Sequence, residues 1–368
     1  MAQVRFLANL KRRWLAHRKR RPHLVAGFTL LELLVSMVIA TIITIGLLSL
    51  VVELTDANQK DAARTETQRD MQMALNYIAQ DLREAVFVYD GDCMRGYLTI
   101  TNPAQFANAC PGLANHIPAV MTSANTNGAS YTPVLAFWRT DLLPADLQAA
   151  CRAAATALAS STPASVQGVP CISGRSYTLV VYGIAREVNP AAANRTWQGR
   201  ARLVRYQLAQ FTADPNDGAT QNVGYVDPLT SPNSKFQQWP YQNVSNAITN
   251  AQGSRPTGSP DVLVDFLDDK IVAAADPAKP VCPTPSVITP TETGSDVRSF
   301  FACVRGKTSA NPLSTEQGVN QEVMISLTGN VSGRAGFPIS AGSANTARLF
   351  PIQTRVLVRG IVGKNPGS

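Results

Sequence analysis

Twenty consecutive uncharged residues, 33–52, directly follow a single carboxylate, Glu32. A segment of this length is long enough to span a bilayer as one α-helix. An acidic side chain within such a segment is costly in lipid, by about 2.5–3.5 kcal/mol on insertion scales. We therefore expect a cation to pair with Glu32. A cut between Gly27 and Phe28 would create one, because it frees an α-amine that is largely protonated near neutral pH.

Residues 1–27, upstream of this cut, form a basic leader with eight cationic side chains and no acidic one. It has the composition of a targeting segment, and we exclude it from the folded body. The whole chain carries a formal charge of +8, but without the leader 25 basic and 25 acidic residues remain. The excess positive charge therefore belongs to the leader, and we expect no nucleic-acid partner. A cationic flank also favours a cytoplasmic amino terminus.

The basic leader, Gly27, Phe28, Glu32 and the apolar run together resemble the class III signal peptide of the type IV pilin family. The resemblance covers about residues 20–88. It implies that a prepilin peptidase cuts after Gly27 and methylates the new amino terminus at Phe28. It also implies that Glu32 pairs with the terminal amine of a neighbouring subunit during assembly. The alternative is a plain membrane anchor with an accidental Gly-Phe pair and a tolerated glutamate.

The same resemblance implies partners and a location. The partners are the prepilin peptidase, other pilins or pseudopilins and an inner-membrane assembly platform. The precursor is expected to cross the inner membrane once, with its body in the periplasm, and then to enter a pilus or pseudopilus at the cell surface. Residues 33–52 lack the proline that many major pilins carry in this segment. Its absence favours a minor pilin or pseudopilin, acting in initiation or at the tip.

The large body most resembles minor pilins and pseudopilins of the PilW and GspJ kind. Short motifs at 262–266, 301–304, 329–330 and 356–360 also resemble the cyanobacterial pseudopilins of hormogonium polysaccharide secretion. The machine that the chain serves stays open at this point. Type IV pili for motility, type II secretion and polysaccharide export are the three alternatives.

The helix is predicted to continue past the apolar run, because residues 53–88 contain neither glycine nor proline. Met71, Leu75, Ile78, Leu82 and Ala85 recur at alternating steps of four and three, which marks one apolar face. The stripe is too short for a coiled coil and favours packing on a sheet. We therefore predict an α+β fold: a long amino-terminal helix, membrane-spanning in its first half, on an antiparallel β-sheet body. The expected segments are 1–27 (leader), 28–52 (membrane or filament-core helix), 53–90 (amphipathic continuation) and 91–368 (β-rich body).

Short apolar runs beyond residue 90 predict the strands of the body. The run at 177–186 is apolar on both faces and is expected to be central, and a switch of faces near Leu203 and Val204 predicts a bulge. A short helix is expected over 146–158, and 101–130, 212–260 and 273–297 are expected to be loops. The candidate strands are 97–100, 134–139, 177–186, 201–211, 262–267, 300–305, 323–327 and 354–362.

All six cysteines lie beyond the apolar run, which is typical of disulfides in an exported domain. Six cysteines allow fifteen connectivities. Proximity alone favours the neighbouring pairs, with free buried thiols as the alternative. None of the spacings is the C-x-x-C that zinc or redox sites use. The favoured pairs are Cys93 with Cys110, Cys151 with Cys171 and Cys282 with Cys303.

The sequence offers little catalytic chemistry. His116 is the one histidine left after the leader is removed, and we expect it to be a solvated loop residue. A membrane-tethered hydrolase would have only this side chain as a histidine base, and no nucleotide-binding G-x-x-x-x-G-K motif is present. We therefore expect no enzyme activity, no cofactor and no metal. The hydrolase remains an alternative from a different class.

Three groups of side chains suggest binding, each beside a simpler interpretation. Asp265, Asp268 and Asp269 suggest calcium, but a solvated turn is favoured. Five arginines suggest a basic patch for polysaccharide or DNA, which would make the chain a pilus-displayed adhesin, but a solvent face balanced by nearby acids is favoured. Trp138, Trp197 and Trp239 suggest stacking on sugars, although Trp138 is expected in the core. The arginines are Arg200, Arg202, Arg205, Arg355 and Arg359.

Overall fold

The computed structural model forms two compact units, Met1–Ala57 and Asn58–Ser368. It describes residues 27, 29–96, 106, 109–124, 126, 128–156, 166–190, 196–212, 219–229, 235–272, 279–291, 296–297, 299–305, 321–339 and 347–358. The predicted strand at 97–100 lies outside the described residues, as do the leader residues 1–26, Phe28 and Arg359.

Helix α1 spans Leu30–Arg83, 54 residues. Residues 30–59 are exposed throughout, whereas one face is buried from Ala63 onwards. The prediction that this helix reaches residue 88 was wrong. It ends at Arg83, and Ala85–Val88 forms strand β1 instead. The sequence Ala-Val-Phe-Val prefers the extended conformation, and its pairing with a neighbouring strand overrides the absence of a helix breaker.

The first sheet has five antiparallel strands. After β1 they are, in spatial order, β2 (Ala129–Leu142), β3 (Arg175–Glu187), β4 (Ala201–Leu208) and β7 (Asp261–Leu267). The predicted central position of residues 177–186 is confirmed, because β3 lies in the middle. The predicted bulge is confirmed too, since the register of β4 against β7 shifts between Leu203 and Val204.

The second sheet has four antiparallel strands. In spatial order they are β9 (Ser286–Thr289), β11 (Phe300–Arg305), β12 (Glu322–Leu327) and β13 (Ile352–Leu357). Two-stranded ribbons join β5 (Tyr241–Val244) with β6 (Ala247–Asn250), and β8 (Ile271–Val272) with β10 (Asp296–Val297). Two regions predicted to be loops, 212–260 and 273–297, therefore contain strands.

The described part of the body also contains two short α-helices and two 3-10 helices, the latter at Ala119–Thr122 and Phe236–Gln238. Helix α2 spans Gly91–Arg95, and Asp90 caps it by accepting a hydrogen bond from the Cys93 amide. Helix α3 spans Ala145–Thr156, close to the helix predicted at 146–158.

The core has two layers, because neighbouring residues on each strand face opposite sides of the first sheet. Phe137 and Leu203 pack on the buried stripe of α1, and residues of the second sheet, such as Ile325, join the same cluster. Trp138 and Val204, one residue further along, pack instead against the loops of the opposite face. The long helix therefore packs on both sheets, which confirms the predicted α+β fold of a pilin-like kind.

The segment that follows β12 is fitted closely to α1. A Cβ atom added to Gly329 would lie 3.0 Å from Thr67 Cγ2 and 3.3 Å from Met71 Cγ. A larger residue at this position would have to displace these side chains by a few tenths of an ångström. Further along, Arg334 pairs with Glu66 and Asp70 of the helix at 2.6 Å each and lies over the Phe266 ring. These contacts join α1 to the loop between β12 and β13.

All six cysteines are paired in the structure. The bonds join Cys93 with Cys110, Cys151 with Cys171 and Cys282 with Cys303, with Cα–Cα distances of 5.0, 5.4 and 5.5 Å. These are the neighbouring pairs that proximity favoured. Each bond closes a local loop, because the bonded residues are 17 to 21 positions apart.

Candidate functional site

The start of α1 is built by Thr29. Its backbone carbonyl accepts hydrogen bonds from the amides of Glu32 and Leu33, at 3.0 and 3.2 Å. Its side-chain hydroxyl also accepts from the Glu32 amide, at 3.3 Å. Threonine favours this N-cap position, because its oxygen replaces an acceptor that the helix itself lacks there. The sequence Thr-x-x-Glu is the pattern of a capping box.

Glu32 lies in the first turn of α1. The amides of a helix amino terminus carry partial positive charge, which favours a carboxylate at this point. The side chain is exposed in the single chain. Gly27 is also exposed, and no atom lies within 4 Å of where its Cβ would be. The structure does not describe Phe28, so its role as the new amino terminus stays a prediction.

The first unit presents an apolar surface along α1. The large hydrophobic side chains from Leu30 to Leu54 are 48% to 86% exposed. The hydroxyl groups among them are bonded within the helix: Ser36 donates to the carbonyl of Glu32, and Thr44 donates to that of Ala40. Such local bonds remove the cost of placing a hydroxyl in an apolar surrounding. Within the described part of the chain, α1 is the one helix with the length and composition to cross a membrane.

Comparison with known proteins agrees with this geometry. Residues 23–48 match the family model of the prokaryotic N-terminal methylation motif. The matched segment includes Gly27, Phe28 and Glu32. The chain therefore carries the amino-terminal methylation motif, which is the class III signal peptide typical of type IV pilin-like precursors. No curated protein and no solved structure is significantly similar to the chain.

A buried ionic cluster, absent from the sequence predictions, lies between α1 and the first sheet. Asp81 of the helix is 7% exposed. Its carboxylate accepts from Arg139 Nη1 at 2.7 Å, from Arg205 Nε at 2.9 Å and from the Tyr182 hydroxyl. Burial and the neighbouring carboxylate raise the pKa of Tyr182, so its hydroxyl stays protonated and donates. The sequence does hold one signal for this cluster: Asp81 directly precedes Leu82, which belongs to the apolar stripe of α1.

The predicted basic patch is engaged in ion pairs. Arg200 pairs with Asp269 at 2.8 Å, Arg202 with Glu187 at 3.4 Å, and Arg205 with Asp81. Arg202 and Arg205 are also buried. The predicted balance by nearby acids is therefore confirmed for these three residues, but the predicted position on a solvent face was wrong for Arg202 and Arg205. Arg355 lies 3.7 Å from Glu322 on β12.

The three aspartates in and just after β7 do not form the solvated turn that was predicted. Asp265 accepts hydrogen bonds from the backbone amides of residues 198 and 199. Asp268 is 1% exposed and pairs with Arg348 at 3.0 Å. Asp269 pairs with Arg200, as described above. Each carboxylate has its own protein partner, and no metal-binding group occurs among the described residues.

The three tryptophans differ in their burial: Trp138 and Trp239 are buried, whereas Trp197 is exposed. Trp138 is fully buried, as predicted, and donates to the Tyr89 hydroxyl at 3.0 Å. Trp239 is 2% exposed and lies in the same aromatic cluster. Trp197 is 37% exposed and covers the Arg202 guanidinium at 5.7 Å. Of the three, Trp197 is thus the one whose ring is open to a ligand, and it already contacts an arginine.

The prediction that His116 is a solvated loop residue was wrong. The residue is 5% exposed, and its Nδ1 lies 2.9 Å from Gln252 Oε1. Gln252 donates through Nε2 to the carbonyls of His116 and Gly224, so its Oε1 is the acceptor and the histidine donates from Nδ1. The rings of Trp239 and Tyr241 meet the imidazole edge-on. His116 therefore joins two loop segments.

Acid is expected to weaken this junction. Burial lowers the pKa of His116, the bond with Gln252 acts in the opposite direction, and the nearby Arg255 lowers the pKa further. Because the unfolded chain binds the proton more readily, the stabilising contribution is complete above pH ~6.5 and is lost as the pH falls through the lower pKa of the folded state. Urea unfolding at pH 7.5 and 5.0 measures the loss. The loss should be larger in the wild type than in His116→Asn, and equal losses would contradict this account.

Proposed function

We propose that this chain is a minor pilin or pseudopilin that a prepilin peptidase processes and that enters, or primes, a type IV pilus-like filament. The exposed apolar half of α1, with one carboxylate in its first turn, carries the proposal. A surface of this size needs lipid or other apolar helices to cover it. A plain anchor would need lipid alone, and Glu32 would then only add a cost.

A filament would provide the cationic partner for Glu32 that a plain membrane anchor lacks. In a bundle of apolar helices, an unpaired carboxylate would suffer a penalty of several kcal/mol, about the cost of a buried ion without a partner. The amine at Phe28 of a neighbouring subunit would neutralise Glu32 and would also fix the axial register of the two subunits. Processing and assembly are thus linked, because the cut creates the cation that assembly uses.

A minor role, of the PilW and GspJ kind, fits the rest of the chain better than that of a main filament subunit. The apolar half of α1 has no proline, and the body of two sheets is large for a subunit repeated throughout a fibre. We place the chain at initiation or at the tip. Deleting the gene would separate the three candidate machines, since loss of surface filaments, of secreted protein or of secreted polysaccharide identifies a different one.

The proposal includes that the body is not an enzyme. His116 is enclosed by Trp239, Tyr241 and Gln252, which supports a role in holding loops together. The ion pairs of Arg200, Arg202 and Arg205 likewise support a structural role over adhesion through a basic patch.

Gly27→Leu is the direct test of processing. A bulky side chain before the cut is expected to leave the precursor intact in the membrane fraction. Gly46→Leu is the matched control, because Gly46 is also an exposed glycine with no atom within 4 Å of its Cβ position. The control should be cut normally. A Gly27→Leu protein that still begins at Phe28 would show that the proposed processing is wrong.

A further inference from the structure

The backbone amide of Glu32 donates to the Thr29 hydroxyl, an acceptor that it would not use if α1 continued towards the leader. In an uninterrupted α-helix this amide would bond to the carbonyl of Phe28, four residues earlier. In the structure it bonds to the hydroxyl and the carbonyl of Thr29, at 3.3 and 3.0 Å. The helix begins at Leu30, and Gly27 lies outside it.

We infer that Thr29 is a positioning residue for processing: its hydroxyl fixes the start of α1 at Leu30 and opposes extension of the helix towards the cut after Gly27. The inference rests on the proposed function, because it concerns the same cut. The role assigned to the Thr29 side chain is separate from those of the basic leader, Gly27 and Glu32.

The sequence of the leader only weakly opposes extension of α1 beyond Leu30, so a separate helix-ending signal is needed. Residues 23–26, His-Leu-Val-Ala, are compatible with a helix, and the nearest proline, the residue that would end one, is Pro22. Gly27 disfavours a helix but does not forbid it. In apolar surroundings a helix also tends to grow, because each added turn satisfies backbone groups that lipid cannot satisfy. Without the Thr29 hydroxyl, extension of α1 across the cut site would compete with the capped start.

Extension across the cut would hinder hydrolysis. In a helix the Gly27 carbonyl would accept from Leu31, and the Phe28 amide would donate to Leu24. In the reaction, water adds to the Gly27 carbonyl carbon, the C–N bond breaks, and a proton passes to the Phe28 nitrogen. The products are the Gly27 carboxylate and the Phe28 amine. A peptidase therefore needs both groups free of helical bonds. Gly27, which supplies the carbonyl, is exposed and lies outside the helix.

The test compares Thr29→Val with Thr29→Ser in the full-length precursor, processed by prepilin peptidase in membranes. Valine has the shape of threonine without the acceptor, whereas serine keeps the hydroxyl. Mass spectrometry gives the position of the cut and the processed fraction over time, normalised to the precursor in the membrane. Thr29→Val should be cut about five- to tenfold more slowly, which corresponds to the loss of one N-cap. Thr29→Ser should be cut at close to the wild-type rate.

Two further variants separate capping from other effects. Thr41→Val removes a hydroxyl that bonds to the Val38 carbonyl inside the helix, and it should have no effect on the rate. Thr29→Asn supplies a different but effective N-cap, so it should restore the rate. A Thr29→Val precursor cut at the wild-type rate, or a Thr29→Asn precursor as slow as Thr29→Val, would overturn the inference. A wild-type precursor that is not cut after Gly27 would instead overturn the proposed function.

Discussion

Glu32→Gln protein is expected to reach the membrane in normal amount and to be absent from filaments. Glutamine matches the size and polarity of glutamate, so insertion and the start of α1 should persist. The charge is lost, and with it the partner of the Phe28 amine in the next subunit. That amine would then enter an apolar bundle unpaired, at a cost of several kcal/mol, which is enough to reduce incorporation more than a hundredfold.

The matched control is Glu53→Gln, which removes the carboxylate at the other end of the same uncharged run. Glu53 is exposed and lies beyond the apolar segment. Its replacement should leave incorporation unchanged. Quantifying each variant in sheared filaments and in membranes separates assembly from insertion. If Glu32→Gln appears in filaments at the wild-type level, neutralisation of Glu32 is not what drives docking.

Asp81→Asn is expected to destabilise the body by about 3–5 kcal/mol. The substitution keeps the shape of the side chain but removes the negative charge that Arg139 and Arg205 share. Arg139 retains a second partner, because its Nε lies 3.0 Å from Asp141. Arg205 is 7% exposed, and Asp81 supplies its carboxylate within the described structure, so its charge would stay buried and uncompensated.

Urea unfolding of a purified fragment that begins at Asn58 gives the free energy of unfolding for each variant. Asp61→Asn, an exposed change on the same helix, should stay within about 0.5 kcal/mol of the wild type. Adding Arg205→Met to Asp81→Asn should recover part of the loss, because it removes the unpaired charge. Equal midpoints for Asp81→Asn and Asp61→Asn would show that the cluster does not hold the helix on the sheet.

Periodic sequence patterns predicted the parts of the fold that depend on local chemistry. The stripe from Met71 to Leu82 marks the buried face of α1, and the apolar run at 177–186 marks a strand covered on both sides. In both cases the spacing of apolar residues directly reflects which face is buried. The candidate processing segment was readable for the same reason, since its signal is contiguous in the sequence.

Features that depend on tertiary contacts were not readable. The end of α1 at Arg83 depends on the pairing of β1 with β2, more than forty residues away. The burial of His116 depends on Gln252, and the Asp81 cluster joins one helix to three strands. One missed element did have a local signal: Ser245 and Asn246 both adopt positive φ, at 51° and 61°, in the turn between β5 and β6. Asparagine tolerates this conformation and is common in hairpin turns.

The most direct test of the account is mass spectrometry of the amino terminus of the chain recovered from assembled filaments. If the cut creates the cation that neutralises Glu32, every incorporated copy must begin at Phe28, carry the methyl group on its α-amine and lack the 27-residue leader. Filaments in which the chain still carries its leader would contradict this account, because Glu32 would then have no terminal amine to meet.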